Sequence, residues 1–267
     1  DRCASDSGCA SKLGSDAFAH VQALSKALEN GHCSSLGWSR STLRQLLGFM
    51  LSIGRLRDYM PAVVRRVERC SENDIAALNR FKSFVSSLDT ESASFSQVLS
   101  ANISLSELSV RPFPTLASVR ANVANLYASK DVGPAFAPAA AEWPIYQADE
   151  YVGHFADTDV PMLMLNGDLD AETPIAEAEL AGAAHHGSNQ YFVAIPYAPH
   201  TTLTQSLLND TDQTCGADLA RQFLSAPTSS LDLACLERVM PLVFDGFSGI
   251  TEALFGTTSA WDDAPPR

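Results

Sequence analysis

Two short apolar runs flanking one helical segment constrain this chain more than any other feature. Val160-Pro-Met-Leu-Met-Leu-Asn166 is continuously apolar and runs into a turn, Gly167-Asp168-Leu169-Asp170. Thr173 and Pro174 then read as the cap and first turn of a helix from Ile175 to His186 that Gly187 closes, and Tyr191-Phe-Val-Ala-Ile195 is the second run. Apolar runs this short and unbroken suit strands buried on both faces of a parallel sheet. Strand, helix and strand in succession make one βαβ unit, whose strands lie parallel and whose crossover is right-handed. This stretch is therefore α/β, with helical segments expected after it around Leu203 to Leu208 and Leu219 to Leu224.

The chain upstream has a different period. Phe18, Val21, Leu24 and Leu28 recur at helical spacing, with Ser15 placed to cap and Gly31 to end the run. Leu43, Leu46, Leu47, Met50 and Leu51 form a second stripe, and Pro61 stands at the first position of a helix through Val63, Val64 and Val67. Ile75, Leu78, Phe81, Val85 and Leu88 predict a helix that Ser71 and Asp74 open, and Leu116, Val119, Val123 and Leu126 one more. Each stripe is expected to be ordinary core. Alternation of period two is missing from 11–128, so this half reads as helical. Residues 133–144, rich in Pro and Ala, read as an extended connector. The expected organisation is a helical cap over 1–132, a connector over 133–159 and an α/β portion over 160–267.

With 267 residues, 46% of them apolar, the chain can bury a substantial core. Its net charge of -13 sets it against nucleic acid and anionic membranes as partners, because both would repel it. No apolar run approaches the roughly 18 residues a membrane-spanning helix needs. The chain starts at Asp1 rather than Met and shows no signal-peptide pattern, so it reads as a processed product or an excerpt of a longer one.

Six cysteines fall in local pairs, Cys3 with Cys9, Cys33 with Cys70 and Cys215 with Cys235. The count alone leaves connectivity open; the nearest-neighbour set is preferred because each pair brackets one loop or helix hairpin. Disulfides would place the chain in an oxidising compartment, secreted or vacuole-like, whereas buried free thiols would fit the cytosol. No Cys-x-x-Cys and no His/Cys pair at zinc spacing occurs, so no structural metal and no cofactor is expected.

Working residues of an open parallel sheet sit in the loops beyond the carboxyl ends of its strands. Here the first strand runs into Asp168 and Asp170 and the second into Pro196-Tyr197-Ala198-Pro199-His200. Taken singly, the aspartates are common turn residues and His200 a common helix-start residue. Together, one βαβ unit apart, they read as a carboxylate that orients a histidine base, in the order Asp before His found in α/β-hydrolases. His185 and His186 sit at a helix end and read as structural, and His20, His32 and His154 have no companion motif.

Val160 through Pro174, with its Gly-Asp-Leu-Asp turn, followed by Ala198-Pro-His-Thr-Thr-Leu203, resembles the C-terminal segment of secreted tripeptidyl-aminopeptidase-like and prolyl-aminopeptidase-like serine α/β-hydrolases. The resemblance implies a partial α/β-hydrolase fold, a helical cap followed by a βαβ unit carrying the last parallel strands. It implies that Asp170, not Asp168, is the acid of a catalytic triad and His200 its base. The family's histidine more often follows Gly than Pro199. Cys215 and Cys235 look like the family's C-terminal disulfide, and Cys3 to Cys9, Arg69-Cys70 and Leu105-Ser-Glu-Leu108 resemble its cap and the return from it. The likeness covers residues 1 to about 236 and implies the free N-terminus of a peptide as substrate, with a peptide or small ester as partner. An acidic side chain of the cap could pair with that ammonium, and Glu107 is the candidate; a solvated helix-end glutamate is the other open reading.

The family's nucleophile elbow, Gly-x-Ser-x-Gly between a strand and a helix, does not occur. Gly37-Trp38-Ser39-Arg40-Ser41 has Ser where the second Gly belongs, and Gly246-Phe247-Ser248-Gly249-Ile250 misplaces it. Ser39 or Ser41 is better read as a helix cap and Ser248 as part of a mobile tail. The expected function is thus that of a serine hydrolase of the aminopeptidase type whose serine comes from an N-terminal half outside this chain. The alternative is a degenerate, non-catalytic hydrolase that acts as a binding module.

Overall fold

The computed structural model describes residues 2–88 and 96–266. Nine α-helices among the described residues precede the first strand: α1 (Arg2–Ser5), α2 (Ser7–Leu13), α3 (Ala17–Glu29), α4 (Arg40–Ser52), α5 (Met60–Arg69), α6 (Glu72–Leu88), α7 (Gln97–Ile103), α8 (Leu116–Ala124) and α9 (Val132–Phe136). Strand β1 (Met162–Gly167), helix α10 (Ile175–Ala184) and strand β2 (Gln190–Ile195) follow, then α11 (Thr202–Gln205), α12 (Cys215–Ser225) and α13 (Ser248–Phe255). The chain is thus mixed, mostly helical with one small parallel sheet. No helix among the described residues is long and apolar enough to cross a membrane.

These elements form two compact units. The first runs to Phe49 and takes in Tyr59–Val152 and everything from Phe244 onward; the second consists of Met50–Asp58 and Gly153–Val243. The division falls after Val152, inside the connector expected over 133–159, and differs from the expected organisation in two further places. A nine-residue stretch at the end of α4 and beyond, Met50–Asp58, belongs with the sheet, and the chain after Phe244 belongs with the helices.

In the first unit α13 explains the second difference. Phe255 stacks on Phe81 of α6 with ring centroids 5.0 Å apart and tilts against Tyr59 at 5.8 Å. Ser248, expected in a mobile tail, instead opens this helix, because Leu254 and Phe255 are fully buried and hold it down. Beneath Phe255 lies Arg66, wholly buried, its guanidinium bonded to Asp74 at 3.1 Å, to Thr257 Oγ1 at 3.1 Å and to the Ala260 carbonyl at 2.8 Å. Arg69 completes the group with bonds of 2.8 and 2.6 Å to the same carboxylate. Burial alone would raise the Asp74 pKa, but bonds from Arg69 and Ser71 outweigh it and hold the carboxyl below its ordinary range.

The helices begin and end for local reasons. The cap of α3 is Asp16 rather than the expected Ser15, since the Asp16 carboxylate reaches the Ala19 N–H at 2.9 Å. The Phe18 side chain of that stripe is 53% exposed, against the expectation of core, and meets Tyr127 edge-on. Helix α8 departs further: none of its residues is fully buried, and the stripe Leu116, Val119 and Val123 is only half-covered. The connector is not fully extended, since α9 supplies one helical turn at its start.

In the second unit β1 and β2 pair in parallel, from Met162 opposite Gln190 to Gly167 opposite Ile195. The first strand begins two residues later than expected, because Pro161 has no N–H to give and Val160 is exposed. Its first four residues are only half-buried rather than covered on both faces. The reason is that the sheet has two strands among the described residues, which leaves β1 an open edge. Behind the sheet Val193, Ile195, Leu208, Leu219 and the Cys215–Cys235 bridge form a small core. Leu207 and Leu208 pair as isolated bridges with Thr214 and Val239, which cuts the expected helix there to the single turn α11.

All three expected cysteine pairs are bridged, with Cα atoms 5.2 Å apart for Cys3–Cys9, 5.7 Å for Cys33–Cys70 and 5.3 Å for Cys215–Cys235. They fit a secreted or otherwise oxidising location.

Candidate active site

Gly167 ends β1 where the loops after both strands come together. A Cβ built there would stand 2.1 Å from the Ala198 carbonyl oxygen and 2.7 Å from that of Pro199, so only glycine fits. The loops are then laced by backbone: the Asp168 N–H donates to Ile195 O at 3.0 Å and the Leu169 N–H to Ala198 O at 3.2 Å. We predict that Gly167→Ala forces these backbones apart, costs about 1–3 kcal/mol as overpacked sites do, and weakens the contact between Asp170 and His200. A thermal unfolding curve unchanged from the native one would contradict this.

That contact is the centre of the site. Asp170 Oδ2 lies 2.9 Å from His200 Nδ1. The other lone pairs of Asp170 are also taken, Oδ1 by the N–H groups of Glu172 at 2.8 Å and Thr173 at 2.9 Å, and Oδ2 additionally by the Thr173 hydroxyl at 2.6 Å. Burial pushes the carboxyl pKa up, but the bonds from Thr173, His200 and Glu172 overcome it and keep Asp170 below the ordinary carboxylate range. Asp170 therefore stays ionised at neutral pH and can only accept, so Nδ1 carries the proton in the contact. Thr173 serves the carboxylate rather than capping α10, where Pro174 takes the cap position without a side-chain bond.

The histidine is fixed from its own side. Tyr197 and Thr201, flanking it, both adopt left-handed backbone, with φ of 55° and 58°. Such strain in non-glycine residues persists only where the surroundings impose it. Gln205 supplies part of that frame, donating to the His200 carbonyl at 3.0 Å and to Thr201 Oγ1 at 2.7 Å while accepting the Gly54 N–H at 2.7 Å. Beside the pair opens a cleft of about 700 Å³ lined by Leu163, Leu165, Thr173, His200, Phe223 and Leu224 among others. Its hydroxyls are those of threonines, and among the described residues no hydrogen bond reaches His200 Nε2.

Asp168 is close in sequence, yet the carboxylate on the imidazole is that of Asp170. Glu107 lies in the first unit, exposed, on the π-helical turn Ser104–Leu108, where its carboxylate accepts the phenol of Tyr146. Ser39 is bonded to Thr42, and Ser41 accepts from Arg44, both as helix-start residues; Ser248 begins α13. Among the described residues no cluster of His, Cys, Asp and Glu is arranged to hold a metal ion. His185 ends α10, buried against Phe155.

Sequence reasoning missed Arg57 and Asp58, which lie in the same unit. Asp58 is fully buried beside Arg55 at 3.1 Å, and burial pushes its carboxyl up to about 6 despite Arg55 and Arg57. An acid protonated more readily in the folded than in the unfolded state favours folding at low pH. Its contribution is present below the unfolded value of about 4 and is lost as pH rises through about 6. Melting temperatures should therefore fall relative to Asp58→Asn between those pH values; parallel profiles would contradict it.

Comparison of the chain with protein-family models, with curated proteins and with solved structures finds no match.

Proposed function

We propose that this chain is the cap and C-terminal part of a serine hydrolase of the aminopeptidase type, with Asp170 and His200 as two members of its triad. The observation that carries the reading is the 2.9 Å contact between Asp170 Oδ2 and His200 Nδ1, at the carboxyl ends of two parallel strands. With Nδ1 protonated toward Asp170, Nε2 is left as the base. It takes the proton of a serine as that serine attacks the scissile carbonyl and returns it to the leaving amine. Asp170 remains ionised, fixes the ring orientation and stabilises the imidazolium. The serine and its oxyanion donors come, in this proposal, from an N-terminal half that completes the hydrolase sheet. In this proposal residues 1–132 are the cap, and Glu107 is the candidate to pair with a peptide's N-terminal ammonium.

A second reading, a non-catalytic binding module, draws on the lack of a serine hydroxyl among the described residues lining the cleft. On the first reading the chain by itself turns over no aminoacyl or peptidyl chromogenic substrate, because its base has no nucleophile to activate. Turnover by the purified chain that disappears in His200→Ala would overturn this and direct attention to Ser39, Ser41 or Ser248.

A further inference from the structure

We propose that Arg57 is a positioning residue whose guanidinium bridges the loops after β1 and β2 and so fixes the separation at which Asp170 and His200 meet. The proposal rests on Asp170 and His200 being the working pair. Arg57 is 5% exposed and points its fork at two main-chain acceptors, the Leu169 carbonyl at 3.3 Å from Nη1 and the Tyr197 carbonyl on Nη2. Leu169 immediately precedes Asp170, and Tyr197 is the left-handed residue three before His200. One rigid, planar group therefore touches both loops that carry the pair.

Three physical points favour positioning over simple stability. A buried arginine is costly to desolvate, and burial here lowers its pKa to about 10 even with Asp58 beside it. A buried charge contributes little net stability over a well-packed apolar side chain of similar volume, so stability alone does not account for an arginine here. Both carbonyls are turn acceptors outside the sheet ladder in part-buried surroundings, where losing the guanidinium donor is destabilising. An arginine satisfies both at once in a fixed geometry, whereas the single ammonium of lysine, on a flexible stem, does not reproduce the fork. The same segment reaches the histidine loop a second time, since the Gly54 N–H donates to Gln205 and the Gln205 amide holds the His200 carbonyl. Met50–Asp58 thus acts as a brace inserted between chain segments more than a hundred residues away, which accounts for its place in this unit.

The test compares the native chain with Arg57→Lys and Arg57→Gln by nitrogen-15 spectroscopy of the histidine rings, with His200→Gln for assignment. In the native chain His200 is expected as the Nδ1–H tautomer, with a hydrogen-bonded proton at low field. Both variants are expected to lose that proton signal and to show mixed tautomers while their helical circular dichroism and three disulfides persist. Lysine keeps the charge beside Asp58, so a tautomer preserved by lysine but lost with glutamine would mean a charge effect and would overturn the bridging role. A native tautomer in both would overturn it as well. Should neither variant fold, the unaltered chain decides: the bridge requires slowly exchanging, resolved Arg57 Nη protons, and averaged, rapidly exchanging ones refute it. Where the chain is completed by a nucleophile-bearing half, misplacement by about an ångström is expected to lower kcat on the order of 10²-fold with KM little changed, and lysine is not expected to rescue it. If no completed chain turns over any substrate, the hydrolase reading fails, while the tautomer and Nη signals still decide the role of Arg57.

Discussion

Asp170→Asn is expected to lower kcat by about 10⁴-fold, with KM nearly unchanged, in the proposed hydrolase completed by a nucleophile-bearing half. The size follows from the donors around the carboxylate. Two backbone N–H groups, of Glu172 and Thr173, point at Oδ1, while the Thr173 hydroxyl and His200 Nδ1 point at Oδ2. An asparagine keeps its oxygen toward the two backbone donors, because these cannot turn away. Its NH2 then faces His200 Nδ1, which must become an acceptor, and the ring proton moves to Nε2. The imidazole is thereby held in the tautomer that cannot act as a base. The hydroxyl of Thr173 can rotate, so the fold survives. The comparison is made by steady-state kinetics on the folded variant, and a fall of less than tenfold would show that Asp170 does not set the tautomer.

Arg66→Ala is expected to destabilise the first unit by about 3–5 kcal/mol. Removing the guanidinium leaves the Asp74 carboxylate buried, with Arg69 as its remaining cation, and frees the Ala260 carbonyl and the Thr257 hydroxyl. It also opens a space under Phe255, over whose ring the guanidinium carbon stands 5.1 Å from the centroid. Arg66 and Arg69 are the side chains by which α5 holds the chain after Gly256, Arg69 through the carbonyls of Trp261 and Asp262, so with Arg66 gone that terminal stretch should loosen first. Urea unfolding followed by Trp261 fluorescence reports it: Trp261 is itself buried and bonded to Asp245 at 3.1 Å. An unfolding midpoint equal to the native one would show that Arg66 does not hold this stretch in place.

Local sequence carried the parts of this structure that depend on local physics. The βαβ unit was legible because apolar runs, a Thr-Pro helix start and a glycine end are written within neighbouring residues, and their order fixes a parallel pair with loops at one end. Asp170 and His200 were legible as a pair for the same reason: each follows a strand, and parallel strands bring those ends together. The disulfides follow because each joins cysteines that one loop or hairpin separates. Arg57 was not legible, since it acts on carbonyls at positions 169 and 197, and main-chain acceptors leave no residue signature. The docking of α13 was hidden similarly: Ser248 to Phe255 follows a turn at Gly246 and reads as tail, and the partners that make it core, Phe81 and Tyr59, lie far away in sequence. The half-covered stripe on α8 shows the converse limit, because helical periodicity reveals an apolar face but not how fully it is covered.

The central claim is that Asp170 and His200 form the acid and base of a triad completed by a serine from elsewhere. It is tested most directly by measuring hydrolysis of aminoacyl and peptidyl chromogenic substrates by this chain with and without a separately expressed N-terminal half bearing Gly-x-Ser-x-Gly. The account predicts no turnover by either part alone, turnover on mixing, and its loss when the chain carries His200→Ala. Turnover on mixing that survives His200→Ala, or folded complexes of the two parts that hydrolyse nothing, would contradict it.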